Sequence, residues 1–183
     1  MKKIALVFMS AFVLNASMAQ KMHATVEVGG APMYSTKNII QNAVNSNDHT
    51  TLVAAVKAAG LVETLQGAGP FTVFAPTNKA FAKLPKGTVE SLVKPENKPT
   101  LIKILTYHVV AGKWDAKAIA KLIKDGKGSA DLKTVSGGTL KASMKGNKLV
   151  LTDEKGGMST VTIKNVYQSN GVIHVVDTVV LPS

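Results

Sequence analysis

The chain has 183 residues, and its 22 basic side chains, all lysine, stand against 11 acidic ones for a formal net charge of +11, with no cysteine. Without cysteine there is no disulfide staple, no thiolate nucleophile and no thiolate metal ligand. Without arginine, and with aromatic residues at 5%, the chain lacks the planar bidentate fork and the stacking rings that read nucleic-acid sequence, so loose attraction to anionic material or plain solubility is what the lysines supply.

In chain order, Lys2 and Lys3 form a basic head, Ile4 to Leu14 an apolar stretch, and Ser17-Met18-Ala19 a small-residue cleavage pattern, which together read as a secretory signal peptide over residues 1–19. The apolar stretch is about half of the ~20 residues a membrane-crossing helix needs, and no later segment approaches that length, so no transmembrane segment is expected. Removing 19 of 183 residues leaves 164, and losing two lysines takes the charge from +11 to +9. Secretion to a bacterial periplasm or the medium is the expected localisation.

Residues 20–34 show no sustained periodicity and are punctuated by Gly29-Gly30-Ala31-Pro32, the pattern of a flexible arm; the domain is expected to run from 35 to 183. Helical signals follow at 38–44 and at 48–59, where Asp48 is placed to cap, Leu52, Val53 and Val56 form a stripe and Gly60 closes. A short turn of helix continues through Leu61, Val62 and Leu65. Phe71 to Ala75 alternates as a strand, Pro76 stops it, and Thr77 is placed to cap a short helix carrying Ala80, Phe81 and Leu84. Further helices are expected at 88–93, with Thr88 as cap, and at 99–108.

The segment 115–124 is the clearest amphipathic helix: Ile119, Leu122 and Ile123 share one face, and Lys117, Lys121 and Lys124 the opposite one at i, i+4, i+7 spacing. That basic ridge is either a solvated helix face or a docking strip for an anionic surface. Beyond Gly128 the pattern turns to strands at 132–135, 139–144, 148–152, 160–163 and 172–180, rich in Val, Leu, Ile and Thr and separated by glycine-containing turns. Helices first and strands later, with one early strand, give an α+β class with a mostly antiparallel sheet.

His108 falls on the stripe of Leu101, Ile104 and Leu105 and is expected to be buried and hydrogen-bonded. Tyr107 points toward the Lys103 side, where its ring would cover the sheet edge or join an exposed contact. His174 and Asp177, three apart in a strand, face opposite sides and form no local pair. The four histidines are scattered, and no GxSxG turn, HExxH helix, phosphate loop or close metal-ligand cluster is present. A catalytic set would have to be assembled from distant residues, and the expectation is a non-enzymatic protein without cofactor or metal.

Three motifs in order, Phe74-Ala75-Pro76-Thr77, then Tyr107-His108-Val109-Val110, then Asn170 to Pro182 with Gly171, His174 and Asp177, resemble those of the fasciclin domain family from about Ser35 to Pro182. Asn38 to Leu65 also resembles secreted bacterial single-domain members. The resemblance implies an α+β fold in which a β-wedge or sandwich packs against several helices, with no required cofactor. It implies adhesion or association with matrix or envelope as the broad function, the partner being a cell-surface protein or an anionic polysaccharide or other envelope component. The family's Tyr-His segment, proposed to contact integrins in animal members, corresponds here to Tyr107 and His108. Lys79 stands where relatives often carry an acid, against the dipole of the helix that Thr77 opens. The alternative implied by algal relatives is a water-soluble carrier of an apolar ligand such as a carotenoid or lipid, for which Met33, Met144, Met158, Tyr107 and Trp114 are the candidate lining.

Overall fold

The computed structural model describes residues 24–183; the signal-peptide reading of 1–19 lies outside them. Within the expected arm, the residues from Val26 to Met33 are structured. Strands β1 (Val26–Val28) and β2 (Ala31–Met33) pair as a hairpin, turned by Gly29 and Gly30 at φ 61° and 75°, the left-handed pair that a two-residue hairpin turn requires. Val28 and Met33 are buried. A side chain at Gly29 would meet the Ser46 hydroxyl and the Asp48 amide, so glycine also lets the turn sit directly on 46–48. The packed domain therefore begins near Val26 instead of Ser35; strands of three residues are too short to show alternation.

Helix α1 (Ile39–Ala43) opens with a capping box in which Asn38 and Gln41 satisfy each other's backbone amides. A 3₁₀ turn (Asn47–His49) leads into α2 (Thr50–Ala59), which ends at left-handed Gly60 as expected; Asp48 lies inside the 3₁₀ turn and makes no cap. After α3 (Val62–Gln66) comes β3 (Phe71–Pro76), then α4 (Asn78–Ala82), whose first turn is held by the Thr77 hydroxyl accepting from Ala80 N–H. Helix α5 (Thr88–Leu92) is preceded by left-handed Gly87, which occupies the cap position expected for Thr88. A 3₁₀ turn (Pro95–Asn97) precedes α6 (Lys98–Tyr107), which has Pro99 in its first turn and His108 as its C-terminal cap. Strand β4 (Val109–Ala111) follows at once and was not legible as a strand. Asp115 caps α7 (Ala116–Asp125) by accepting from Ala118 N–H, and the rest is sheet: β5 (Ser129–Lys133), β6 (Thr139–Lys145), β7 (Lys148–Thr152), β8 (Met158–Gln168) and β9 (Gly171–Val176).

Seven strands form one sheet in the order β4-β3-β9-β8-β7-β6-β5, antiparallel except for the parallel pair β3–β9. The sheet curls until its two ends touch, where Val110 bridges Thr134 and Val135 N–H donates to Val109 C=O. Helices α1 to α6 cover one face of β3, β9 and β8, and α7 plugs the space inside the curl. Each face has its own core. Val73, Ala75, Ile173 and Val175 point to the helical layer with Leu52, Val56, Leu101 and Leu105; Phe74 and Val176 point inward with Ile119, Ile123, Leu140 and Leu151. Because β3 and β9 are covered on both faces, their sequences FTVFAP and GVIHVV are nearly unbroken apolar runs.

Candidate interaction site

The sites proposed from sequence divide into buried residues that hold the fold and exposed residues that can meet a partner. Tyr107 belongs to the first group. It is fully buried inside the curl, its hydroxyl donating to Thr139 C=O at 2.7 Å and accepting from Glu154 N–H at 3.2 Å. Burial is the main cause that pushes its phenol up to about 12. This corrects the expectation that Tyr107 points toward Lys103, where it would cover the sheet edge or join an exposed contact: the ring lies in the inner core instead. The last turn of α6 runs straight into β4, which aims residue 107 at the inner core and residue 108 toward the helical layer. Space for the ring comes from Gly138, where a Cβ would lie 2.7 Å from Tyr107 Cε2.

His108 is buried, as its place on the apolar stripe implied. Its Nδ1–H donates to Ile104 C=O at 2.8 Å, which leaves Nε2 to accept from Val180 N–H at 3.1 Å. Burial drives its pKa from 6.5 down to about 4. His174 is likewise buried and neutral: Nε2–H donates to Trp114 C=O at 2.9 Å, Nδ1 faces Asn165 N–H at 3.4 Å, and the ring stacks on Phe74 with centroids 5.6 Å apart. Burial lowers its pKa too. Neither imidazole is offered to a substrate or partner.

The remaining motif residues are also structural. Asn170 Oδ1 accepts from Ile39 N–H at 3.0 Å, while its Nδ2 donates to the carbonyls of Leu65 and Gly67 at 2.8 Å each. One side chain thus ties the start of α1 and the end of α3 to the β8–β9 turn. Gly171 lies against β3 so closely that a side chain there would overlap the Phe71 backbone. Asp177 accepts from Thr160 N–H at 2.8 Å and the Thr178 hydroxyl at 3.0 Å, with Lys83 3.9 Å from its other oxygen.

The methionine and aromatic set does not converge on a groove. Met33 and Tyr107 are buried in opposite cores, and Met144 and Met158 are exposed on the sheet. An apolar cavity does lie between the helices and the sheet, walled by Met33, Ile40, His49, Val56, Leu105 and Ile173, but its volume is about 70 Å³. Ligand pockets usually offer roughly 300–1,000 Å³.

The exposed candidates lie on α7. Lys117, Lys121 and Lys124 are all exposed on the face opposite Ile119 and Ile123. Lys121 is engaged by Asp125 at 2.6 Å one turn on, whereas Lys117 and Lys124 form no ion pair among the described residues. The ion pairs among the described residues are that one and Lys83–Asp177, so most of the lysine charge is available to solvent and to partners. No helix among the described residues is long and apolar enough to cross a membrane.

The domain is α+β, with a curled, nearly closed sheet and a helical cap, and the motif residues Tyr107, His108, Asn170 and His174 are buried within it. The fasciclin domain profile matches residues 47–182, and the chain belongs to the fasciclin family. It is 48% identical over 155 residues to protein sll1483 of Synechocystis sp., covering 85% of this chain and 79% of that protein. It is 35% identical over 151 residues to the transforming growth factor-beta-induced protein ig-h3 of Sus scrofa, covering 82% of this chain but 20% of that much longer protein. Among solved structures, a domain pair from the insect cell adhesion molecule fasciclin I superposes with a TM-score of 0.70 at 19% identity, over 79% of this chain and 51% of that one; that likeness concerns the fold.

Proposed function

We propose that this protein is a secreted, non-enzymatic interaction module that associates with anionic material at the cell surface, in adhesion or in attachment to the envelope or matrix. The observation that carries the reading is the exposed lysine face of α7, two of whose three cations have no acidic partner among the described residues, on a chain whose charge of +11 falls to +9 once Lys2 and Lys3 leave with the signal peptide. Membership of a family with a cell adhesion molecule among its fold relatives supports the class. The buried motif residues contribute by fixing the scaffold: α7 is positioned through Asp115, Asn165 and the Trp114–His174 contact. A carrier of a carotenoid or comparable lipid would need several times the roughly 70 Å³ of the apolar cavity.

The test is cosedimentation of the purified protein with isolated cell envelopes across a salt series. Exposed charges are screened over about 8 Å at physiological ionic strength, so binding should weaken steadily as salt rises and should fall in a Lys117→Glu, Lys121→Glu, Lys124→Glu variant. Binding indifferent to both would reject the electrostatic reading. An organic extract of the native protein that contains a stoichiometric pigment or lipid would favour the carrier.

A further inference from the structure

Beside the lysine face lies a cleft of about 630 Å³, bounded by the first half of α7, the β6–β7 turn and the irregular middle of β8. Three lysines line it, Lys117, Lys148 and Lys164, one from each wall, and no carboxylate does. None of the three forms an ion pair among the described residues. Two amides join them, Asn147 at the turn and Asn165 on β8. Asn165 adopts φ 62°, a left-handed conformation uncommon for any residue but glycine, within an irregular stretch of the β8–β9 pairing. Its Oδ1 accepts from Ala116 N–H at 2.7 Å at the start of α7. That bond anchors one wall of the cleft to another, and among the described residues the Nδ2 donor has no hydrogen-bond partner. Between the polar groups lie the apolar side chains of Ala120, Met144, Leu149 and Val161.

We infer that this cleft binds a segment of an acidic polysaccharide, the lysines taking its carboxylates, the asparagine amides its hydroxyls, and the apolar side chains between them the C–H face of a sugar ring. The inference rests on, and deepens, the proposed association with anionic surface material. The chemistry decides among anionic partners. Nucleic acid would call for stacking rings and bidentate forks, and the cleft has neither an aromatic residue nor arginine. A lipid would need burial for its chains, and the apolar lining, exposed Met144 included, is small and surrounded by two amides, the hydroxyls of Thr160 and Thr162 and three ammonium groups. Lys117 thereby belongs to both the α7 ridge and the cleft, whereas Lys121, already paired with Asp125, belongs only to the ridge.

The experiment is calorimetric titration of the whole secreted chain with a hexamer of galacturonic acid, a neutral glucose hexamer and phosphatidylglycerol vesicles at physiological salt. It compares a Lys117→Gln, Lys148→Gln, Lys164→Gln variant with a control of equal charge, Lys57→Gln, Lys94→Gln, Lys98→Gln, whose lysines are exposed on the helical layer. The expected result is binding of the uronate alone, weakened roughly tenfold or more in the cleft variant, since three exposed charge contacts together are worth about that factor, and little changed in the control. Equal weakening of both variants, weakening of neither, or a cleft-dependent response to vesicles in place of the uronate would overturn the inference. Cosedimentation with envelopes, run on the same proteins, separates the two levels of claim: envelope binding that survives in the cleft variant condemns the cleft alone, and a wild-type chain that binds the uronate but no envelope condemns the wider functional reading.

Discussion

The Nε2 atom of His108 accepts a hydrogen bond from the backbone N–H of Val180, 72 positions further along the chain, at 3.1 Å. The other ring nitrogen donates to Ile104, so the neutral imidazole joins α6 to the final segment of the chain through both of its polar atoms. A proton on Nε2 would remove the acceptor and place a charge in a site from which water is excluded.

Acid should therefore loosen the fold well above the pH at which carboxylates titrate. His108 has a folded-state pKa of about 4 against an ordinary 6.5, with burial as the main cause, and burial lowers those of His49 and His174 as well. Each group binds its proton less readily folded than unfolded. The associated stability is complete above pH 6.5, declines as pH falls, and for His108 is lost once pH passes 4, an effect of about 3 kcal/mol. The urea midpoint measured at pH 7.5 and at pH 4.5 should differ accordingly. A midpoint unchanged between them would mean that His108 is solvated.

Tyr107→Phe removes the hydroxyl that joins Thr139 to Glu154 and leaves the ring in place. The expected cost is about 1–3 kcal/mol of stability, because Thr139 C=O and Glu154 N–H lose a partner in a poorly hydrated place. Binding to envelope material, measured below the melting temperature, should be unaffected. Lost binding with unchanged melting would restore the residue to the contact role that the family resemblance suggested.

Asn170→Ala leaves three backbone groups without their partner at one stroke, at Ile39, Leu65 and Gly67. A loss of about 2–4 kcal/mol is expected in chemical denaturation. Hydrogen exchange should quicken in α1 and α3 together, since the same side chain holds both. Quickening confined to the β8–β9 turn would show that the helices are held by other contacts.

The dipole of the helix that Thr77 opens has little net effect on Lys79. Helix α4 has only five residues, and Lys79 is exposed near both of its ends, so the opposing effects of the two termini offset each other. Lys79→Glu should leave stability within about 0.3 kcal/mol of the wild type, below the 0.3–1 kcal/mol that a charge at one helix end typically brings. A rise in melting temperature of several degrees would mean that the dipole at the helix N-terminus dominates.

Much of this fold could be read from local patterns. The Thr77 cap, the apolar stripe of α7 and the glycine turns between β5 and β9 are features of a few adjacent residues. Strand β4 is not legible because three residues after a helix show no period, and the β1–β2 hairpin is not because its glycines read as looseness when they in fact permit a tight turn and a close approach to Ser46. Helical spacing directs Tyr107 to the wrong side because it does not foresee where a chain turns at the end of its helix. The cleft was illegible for a different reason: Lys117, Lys148 and Lys164 each look like ordinary surface charge, and only the curl of the sheet around α7 brings them to one opening.

The most direct measurement reads melting temperature and envelope binding in parallel for two variants, Tyr107→Phe and the triple Lys117→Glu, Lys121→Glu, Lys124→Glu. The account requires the first to melt lower and bind normally, and the second to melt near the wild-type temperature and bind weakly. A Tyr107→Phe protein that melts normally but no longer binds, alongside a triple variant that binds as well as the wild type, would contradict it.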